Sequence, residues 1–121
     1  MPESSAVRPW GSWHVLDEGP GYKVKRIEVR PGQRLSYQTH EHRAEHWAVV
    51  QGTATVMLDG ETFEVQTGGS CEVAIGVPHR IANRQQVELV VIEVQRGDYT
   101  GEDDIVRLED DYGRGADIAS T

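Results

Sequence analysis

Turn signals recur along this chain at short intervals and constrain its fold more than any other feature. Pro20-Gly21, Pro31-Gly32, Gly52, Asp59-Gly60, Gly68-Gly69 and Gly76-Val77-Pro78 punctuate runs rich in β-branched and aromatic residues. No helical period is convincing before the C-terminal stretch. Many short strands between turns indicate an all-β sandwich or barrel.

Residues 22–30 show the pattern best. Lys23, Lys25, Ile27 and Val29 fall on one face, and Tyr22, Val24, Arg26, Glu28 and Arg30 on the other. Further strands are expected at 35–42, 47–50, 53–58, 62–66, 71–75, 79–83 and 87–94. The 53–58 and 62–66 pair should be a hairpin, because Asp59-Gly60 supplies the positive φ of a type I′ turn. The last strand is apolar on both faces except for Glu88 and Glu93. Trp10 and Trp13 sit in an irregular segment whose rings want cover, most simply by packing over a sheet.

With 121 residues the chain makes one domain, large enough for a core without covalent staples. A single cysteine, Cys71, fits a reducing compartment and is read as a small buried apolar residue. Residues 1–7 do not resemble a signal peptide, and no apolar run approaches the length of a membrane span. A soluble, cytoplasmic protein with no membrane partner is therefore expected. A net charge of −8 argues against a nucleic-acid partner. Much of it lies in Glu102-Asp103-Asp104 and Glu109-Asp110-Asp111, which read as a solvated face or tail. Neither a glycine-rich phosphate loop opening a helix nor a Gly-x-Ser-x-Gly elbow is present.

The chemistry concentrates in His40-Glu41-His42-Arg43-Ala44-Glu45-His46-Trp47 and in Gly76-Val77-Pro78-His79. Histidines at i and i+2 of an extended strand project to the same side, so His40 and His42 could meet one ion. A nearby carboxylate and the distant His79 would complete a mixed nitrogen and oxygen set suited to a divalent transition metal.

These stretches resemble the paired motifs of the cupin superfamily. The first runs from Gly32 through His40, His42 and Glu45 to Gly52, and the second from Gly68 through Gly76 and His79 to Asn83. More narrowly, the chain resembles the C-terminal cupin domain of type II mannose-6-phosphate isomerases. That likeness is carried by Arg8-Pro9-Trp10-Gly11-Ser12, Pro31-Gly32-Gln33-Arg34-Leu35-Ser36, His42-Arg43-Ala44-Glu45-His46-Trp47, Gly76-Val77-Pro78-His79-Arg80 and Gly101-Glu102-Asp103-Asp104-Ile105-Val106-Arg107. The chain departs from the family pattern at Thr39, Glu41 and Val73-Ala74-Ile75-Gly76, and is read as a cupin standing without a nucleotidyltransferase domain. The resemblance implies a double-stranded β-helix (a jelly-roll barrel) over residues 7–114. Residues 1–6 would be a disordered start and 115–121 a tail.

The resemblance further implies a metal held by His40, His42, His79 and one of two neighbours. Adjacent strand residues face opposite ways, so Glu45 and His46 are alternatives; the cupin register counted from Gly52 favours Glu45. The ion could be zinc, manganese, iron, cobalt or nickel. The implied activity is interconversion of mannose 6-phosphate and fructose 6-phosphate through an enediol. Lys25, in phase with Ile27 and Val29, and Glu93, on an apolar strand, are candidates for moving the proton. Arg43 is the first choice for the sugar's phosphate. Gln38, in phase with His40, could hydrogen-bond a sugar hydroxyl, whereas Arg80 reads as a rim arginine. Two other readings stay open: a non-catalytic binder of sugars or sugar phosphates, and a metal-dependent dioxygenase. Edge strands suggest a homodimer.

Overall fold

A computed structural model describes residues 4–112. Eleven strands form two antiparallel sheets that face each other. The first sheet contains β1 (Ser5–Arg8), β2 (Gly11–Gly19), β3 (Tyr22–Val29), β5 (Arg43–Gln51), β8 (Ser70–Val73) and β10 (Leu89–Gly97), in the order β1-β2-β3-β10-β5-β8. The second contains β4 (Tyr37–Thr39), β6 (Thr53–Leu58), β7 (Glu61–Gln66), β9 (His79–Ala82) and β11 (Val106–Glu109), in the order β11-β4-β9-β6-β7. The all-β expectation holds, and no helix among the described residues is long and apolar enough to cross a membrane.

Local sequence explains the clearest elements. Leu58 pairs with Glu61 across a two-residue loop, with φ of 49° at Asp59 and 85° at Gly60, the turn expected from this dipeptide. Gly97 is required for a different reason. A Cβ there would lie 1.9 Å from the carbonyl oxygen of His42, so only glycine lets β10 close against the chain entering β5.

Four expectations need correction. Residues 1–6 were expected to be disordered, yet Ser5–Arg8 forms β1, paired residue by residue with β2; residues 1–3 and the tail at 115–121 lie outside the described residues. The expected strand at 35–42 shrinks to Tyr37–Thr39, and His40, Glu41 and His42 form a bend. The acidic runs, read as a solvated face or tail, keep Asp103, Glu109 and Asp111 exposed but bury Asp104 and tie the chain down. Glu109 accepts a 2.6 Å bond from Arg80, and Asp111 takes a two-pronged grip from Arg34 at 2.6 and 2.8 Å. Arg80 is accordingly not a rim residue: it is 1% exposed and also donates to the Leu35 carbonyl.

The three central strands of the larger sheet divide the barrel interior into two halves. Their buried faces carry Lys23, Lys25, Ile27 and Val29 on β3; Leu89, Val91, Glu93 and Gln95 on β10; and Arg43, Glu45, Trp47 and Val49 on β5. Register aligns them in rows. Ile27, Val91 and Val49 lie side by side, then Lys25, Glu93 and Trp47, then Lys23, Gln95 and Glu45. One end is therefore an apolar core, completed by Trp10, Trp13, Leu35, Val56 and Ile81. The other end is a layer of buried charge. Burying charge costs several kcal/mol per ion unless each is paired, which puts functional demand on the second half.

Candidate functional site

At the charged end, β4 leads into His40, β5 presents Glu45, and β9 opens with His79. One ligand atom from each lies within 4.8 Å of the others, and all three residues are buried. His40 Nε2 is 3.2 Å from Glu45 Oε2, and His79 Nε2 is 3.7 Å from Glu45 Oε1. The two imidazole rings lie 4.9 Å apart.

Backbone carbonyls fix both tautomers. His79 Nδ1 donates to Val77 O at 2.9 Å, and His40 Nδ1 donates to Asp104 O at 2.5 Å. A neutral imidazole that donates through one nitrogen keeps a lone pair on the other. Both Nε2 lone pairs therefore turn toward Glu45. The Nε2 of His79 is buried and has no hydrogen-bond partner among the described residues. An orphaned acceptor at this depth is costly unless something binds it, and a cation fits two imidazole lone pairs beside a carboxylate.

The electrostatics agree. Burial, with Arg43 and the neighbouring His79 adding to it, pushes the His40 imidazole down to about 3, so it stays neutral. Burial alone would raise the Glu45 carboxyl, but Arg43 and His79 outweigh it and keep the group below its ordinary range. Arg43 Nε donates to Glu45 Oε2 at 2.9 Å. Glu93 goes the other way, raised first by burial and then by the charge of Glu45. The Trp47 indole N–H bridges the two carboxyls, 3.1 Å from Glu45 and 3.0 Å from Glu93. Two adjacent carboxyls thus hold opposite protonation preferences, the arrangement that separates an anion from an acid–base group.

The other expected residues sort plainly. His42 lies on the bend with its side chain 50% exposed, 3.5 Å from Asp98, and is not brought to the cluster. His46 points out of the barrel and pairs with Glu72 at 2.6 Å. Gln38 is buried, lies opposite His79 in the β4–β9 ladder, and lines the same cavity as His40, Arg43, Glu45 and Glu93. Lys25 is buried as its phase required, but it is held by Glu102 at 2.7 Å and lies 4.1 Å from the centre of the Trp13 ring.

Sequence reasoning missed Glu102, Asp104 and Gln95. Asp104 accepts the backbone N–H groups of Glu41 and His42 at 2.9 and 3.0 Å, which sets the bend. Gln95 donates to Glu93 at 2.7 Å. In-phase spacing with Glu93 could have exposed Gln95, whereas nothing local marks a carboxylate some sixty residues from the bend it holds.

The family described as Mannose-6-phosphate isomerase C-terminal matches residues 2–110. The chain is 54% identical over 112 residues to the alginate biosynthesis protein AlgA of Pseudomonas aeruginosa, covering 93% of this chain and 23% of that protein. It is 49% identical over 107 residues to the mannose-1-phosphate guanylyltransferase ManC of Salmonella typhimurium, covering 88% of this chain and 22% of that protein. The chain thus spans less than a quarter of these relatives' length. Among solved structures, the cupin domain of Schizosaccharomyces pombe Cnp3 superposes with a TM-score of 0.68 at 19% identity, over 72% of this chain and 64% of that one, which shows the shared cupin fold.

Proposed function

The chain belongs to the mannose-6-phosphate isomerase C-terminal family, and from that premise we propose that it interconverts mannose 6-phosphate and fructose 6-phosphate with a bound divalent metal. The observation that carries this reading is the pair of tautomer-fixed Nε2 lone pairs converging on Glu45 beside a carboxyl of raised pKa. His40, Glu45 and His79 would hold the ion; zinc, manganese, iron, cobalt and nickel all suit such a set. When bound, the metal would supply Lewis-acid stabilisation of charge developing on the sugar oxygens.

The protein's own groups account for the rest. Glu93 takes the proton from C2 and returns it to C1, while the hydroxyl proton passes from O2 to O1 through the enediol. A carboxyl of raised pKa suits both directions of that exchange near neutral pH. Trp47 and Gln95 hold the Glu93 carboxyl in place. Arg43 keeps Glu45 anionic and oriented, and Gln38 offers an amide to a sugar hydroxyl. Lys25, committed to Glu102, leaves the proton transfer to Glu93. The ionic lining disfavours a dioxygenase, which wants a less polar cavity. A charged sugar phosphate does not cross membranes, which fits a cytoplasmic location.

Proton NMR of mannose 6-phosphate in deuterated water, with and without added divalent metal, tests the proposal. Metal-dependent appearance of fructose 6-phosphate is expected. Line broadening of the substrate without conversion would replace the isomerase with a sugar-phosphate binder.

A further inference from the structure

Three cations are buried in the charged half of the barrel, and their free ends meet on a strap, residues 98–105, that joins β10 to β11. Lys23 Nζ donates to Thr100 O at 2.7 Å and lies 3.4 Å from Glu102 Oε2. Lys25 Nζ is 2.8 Å from Glu102 Oε1 and 2.7 Å from Oε2. Arg43 Nη1 donates to Gly101 O at 3.2 Å. The lysine side chains are 7% and 5% exposed, whereas that of Glu102 is 27% exposed.

This pairing is loose. At the strap, three buried charges are met by the Glu102 carboxylate and two peptide carbonyls, although buried ions call for close compensation. Arg43 spends its other edge on Glu45; Lys23 has only the half-exposed Glu18 besides, at 3.9 Å, and Lys25 has the Trp13 ring at 4.1 Å, with Glu102 the one carboxylate in ion-pair range among the described residues. Three acceptors drawn from Thr100, Gly101 and Glu102 present to the cations what one tetrahedral oxyanion would present from a single group. Space points the same way. The cavity beneath the strap, lined by Lys25, Arg43 and Glu102 together, has a volume of about 70 Å³, room for roughly five waters. Arg43 also reaches to 3.3 Å from His40 Nε2, so one guanidinium spans from the imidazole cluster to the strap.

We infer that Lys23, Lys25 and Arg43 form the subsite for a phosphate monoester, and that the Glu102 carboxylate fills it as an internal stand-in which the incoming phosphate displaces. The inference rests on the sugar-phosphate reading above and adds which groups take the phosphate and what they release.

Inorganic phosphate is the probe, titrated calorimetrically into the full chain as purified. Glu102→Gln, which keeps the shape but removes the competing charge, should bind phosphate about tenfold tighter than wild type; Lys25→Met should bind at least about tenfold weaker. Added phosphate should also speed hydrogen exchange at the wild-type amides of residues 100–104 as the strap is released. That measurement, with Glu102→Gln, decides the matter should Lys25→Met fail to fold by circular dichroism. Equal affinities in wild type and Glu102→Gln, with unchanged exchange in the strap, would overturn the subsite. Acetate binding as tightly as phosphate would overturn its assignment to phosphate. Because phosphate binding is the readout, a failure to isomerise mannose 6-phosphate would remove the proposed function and leave this result standing.

Discussion

His40 gives its Nδ1 proton to the backbone carbonyl of Asp104 while the Asp104 carboxylate grips the amides of Glu41 and His42. One residue on the strap therefore fixes both the tautomer of a metal-ligand candidate and the bend that carries it. Asp104→Ala leaves the carbonyl but frees two backbone N–H groups, a loss of about 1–3 kcal/mol in stability. Metal affinity should fall about 10–100-fold, as when other outer-shell partners are removed. Denaturant unfolding and competition with a chelating dye measure the two effects; an affinity within about twofold of wild type would remove Asp104 from the site.

The histidines should separate cleanly by metal retention. His40→Ala and His79→Ala each delete a buried nitrogen from the cluster, and metal per chain after gel filtration should drop below about a tenth of wild type. His42→Ala alters an exposed side chain outside the cluster and should leave metal content near wild type. Loss of metal in His42→Ala equal to that in His40→Ala would contradict the geometry.

Much of this was legible in the sequence, for reasons that also mark where reading stopped. The phase of Lys25 with Ile27 and Val29, and of Glu45 with Trp47 and Val49, was readable because a strand has a strict two-residue period. His42 was misplaced by the same rule, which holds only in extended backbone. At 40–42 the chain bends, and the cause is Asp104, far away in sequence. The in-phase pair on this stretch is Gln38 with His40, one step earlier, and both are buried. β2 escaped notice because its register shifts between Val15 and Asp17 and its later residues are exposed, so no clean alternation survives. Glu102 and Asp104 were read as solvated because local composition cannot show that a turn folds back over buried lysines.

Acid should weaken the metal-free protein before it reaches ordinary carboxylate range. The His40 pKa lies near 3 in the fold against about 6.5 in the unfolded chain. Between those values the unfolded state binds more protons, so stability is full above the upper value and is lost as pH falls toward the lower. One such group gives a slope of about 1.4 kcal/mol per pH unit inside the window. Urea unfolding at pH 7, 6 and 5 should show this fall, and His40→Asn should flatten it. An unchanged slope in the variant would mean that His40 is not the group responsible.

Cys71 should be slow to alkylate. Burial, with the charge of Glu72 adding to it, pushes its thiol up to about 11, against about 8.5 for a free cysteine. At pH 8 the thiolate fraction is then lower by roughly two orders of magnitude. Iodoacetamide labelling of the native protein should lag a cysteine peptide by at least that factor and catch up in urea. Native labelling at the peptide's rate would show the site to be open.

Glu93 and Glu45 share the Trp47 indole N–H yet are driven to opposite protonation states, and Glu93→Gln isolates what that difference does. Glutamine matches the neutral carboxyl in shape, so its carbonyl can still accept from Trp47 and the fold should persist with metal content unchanged. It cannot take or return a proton. If Glu93 moves the proton between C2 and C1, kcat should fall about 10²–10⁴-fold while KM changes little, since binding is left to Arg43, Gln38 and the metal cluster. A purely structural Glu93 predicts the reverse: a lower unfolding midpoint, reduced metal content and a raised KM, with kcat per metal-loaded chain nearly intact. Steady-state kinetics normalised to bound metal separate the two, and the structural pattern would move the search for the proton carrier to another wall of the cavity.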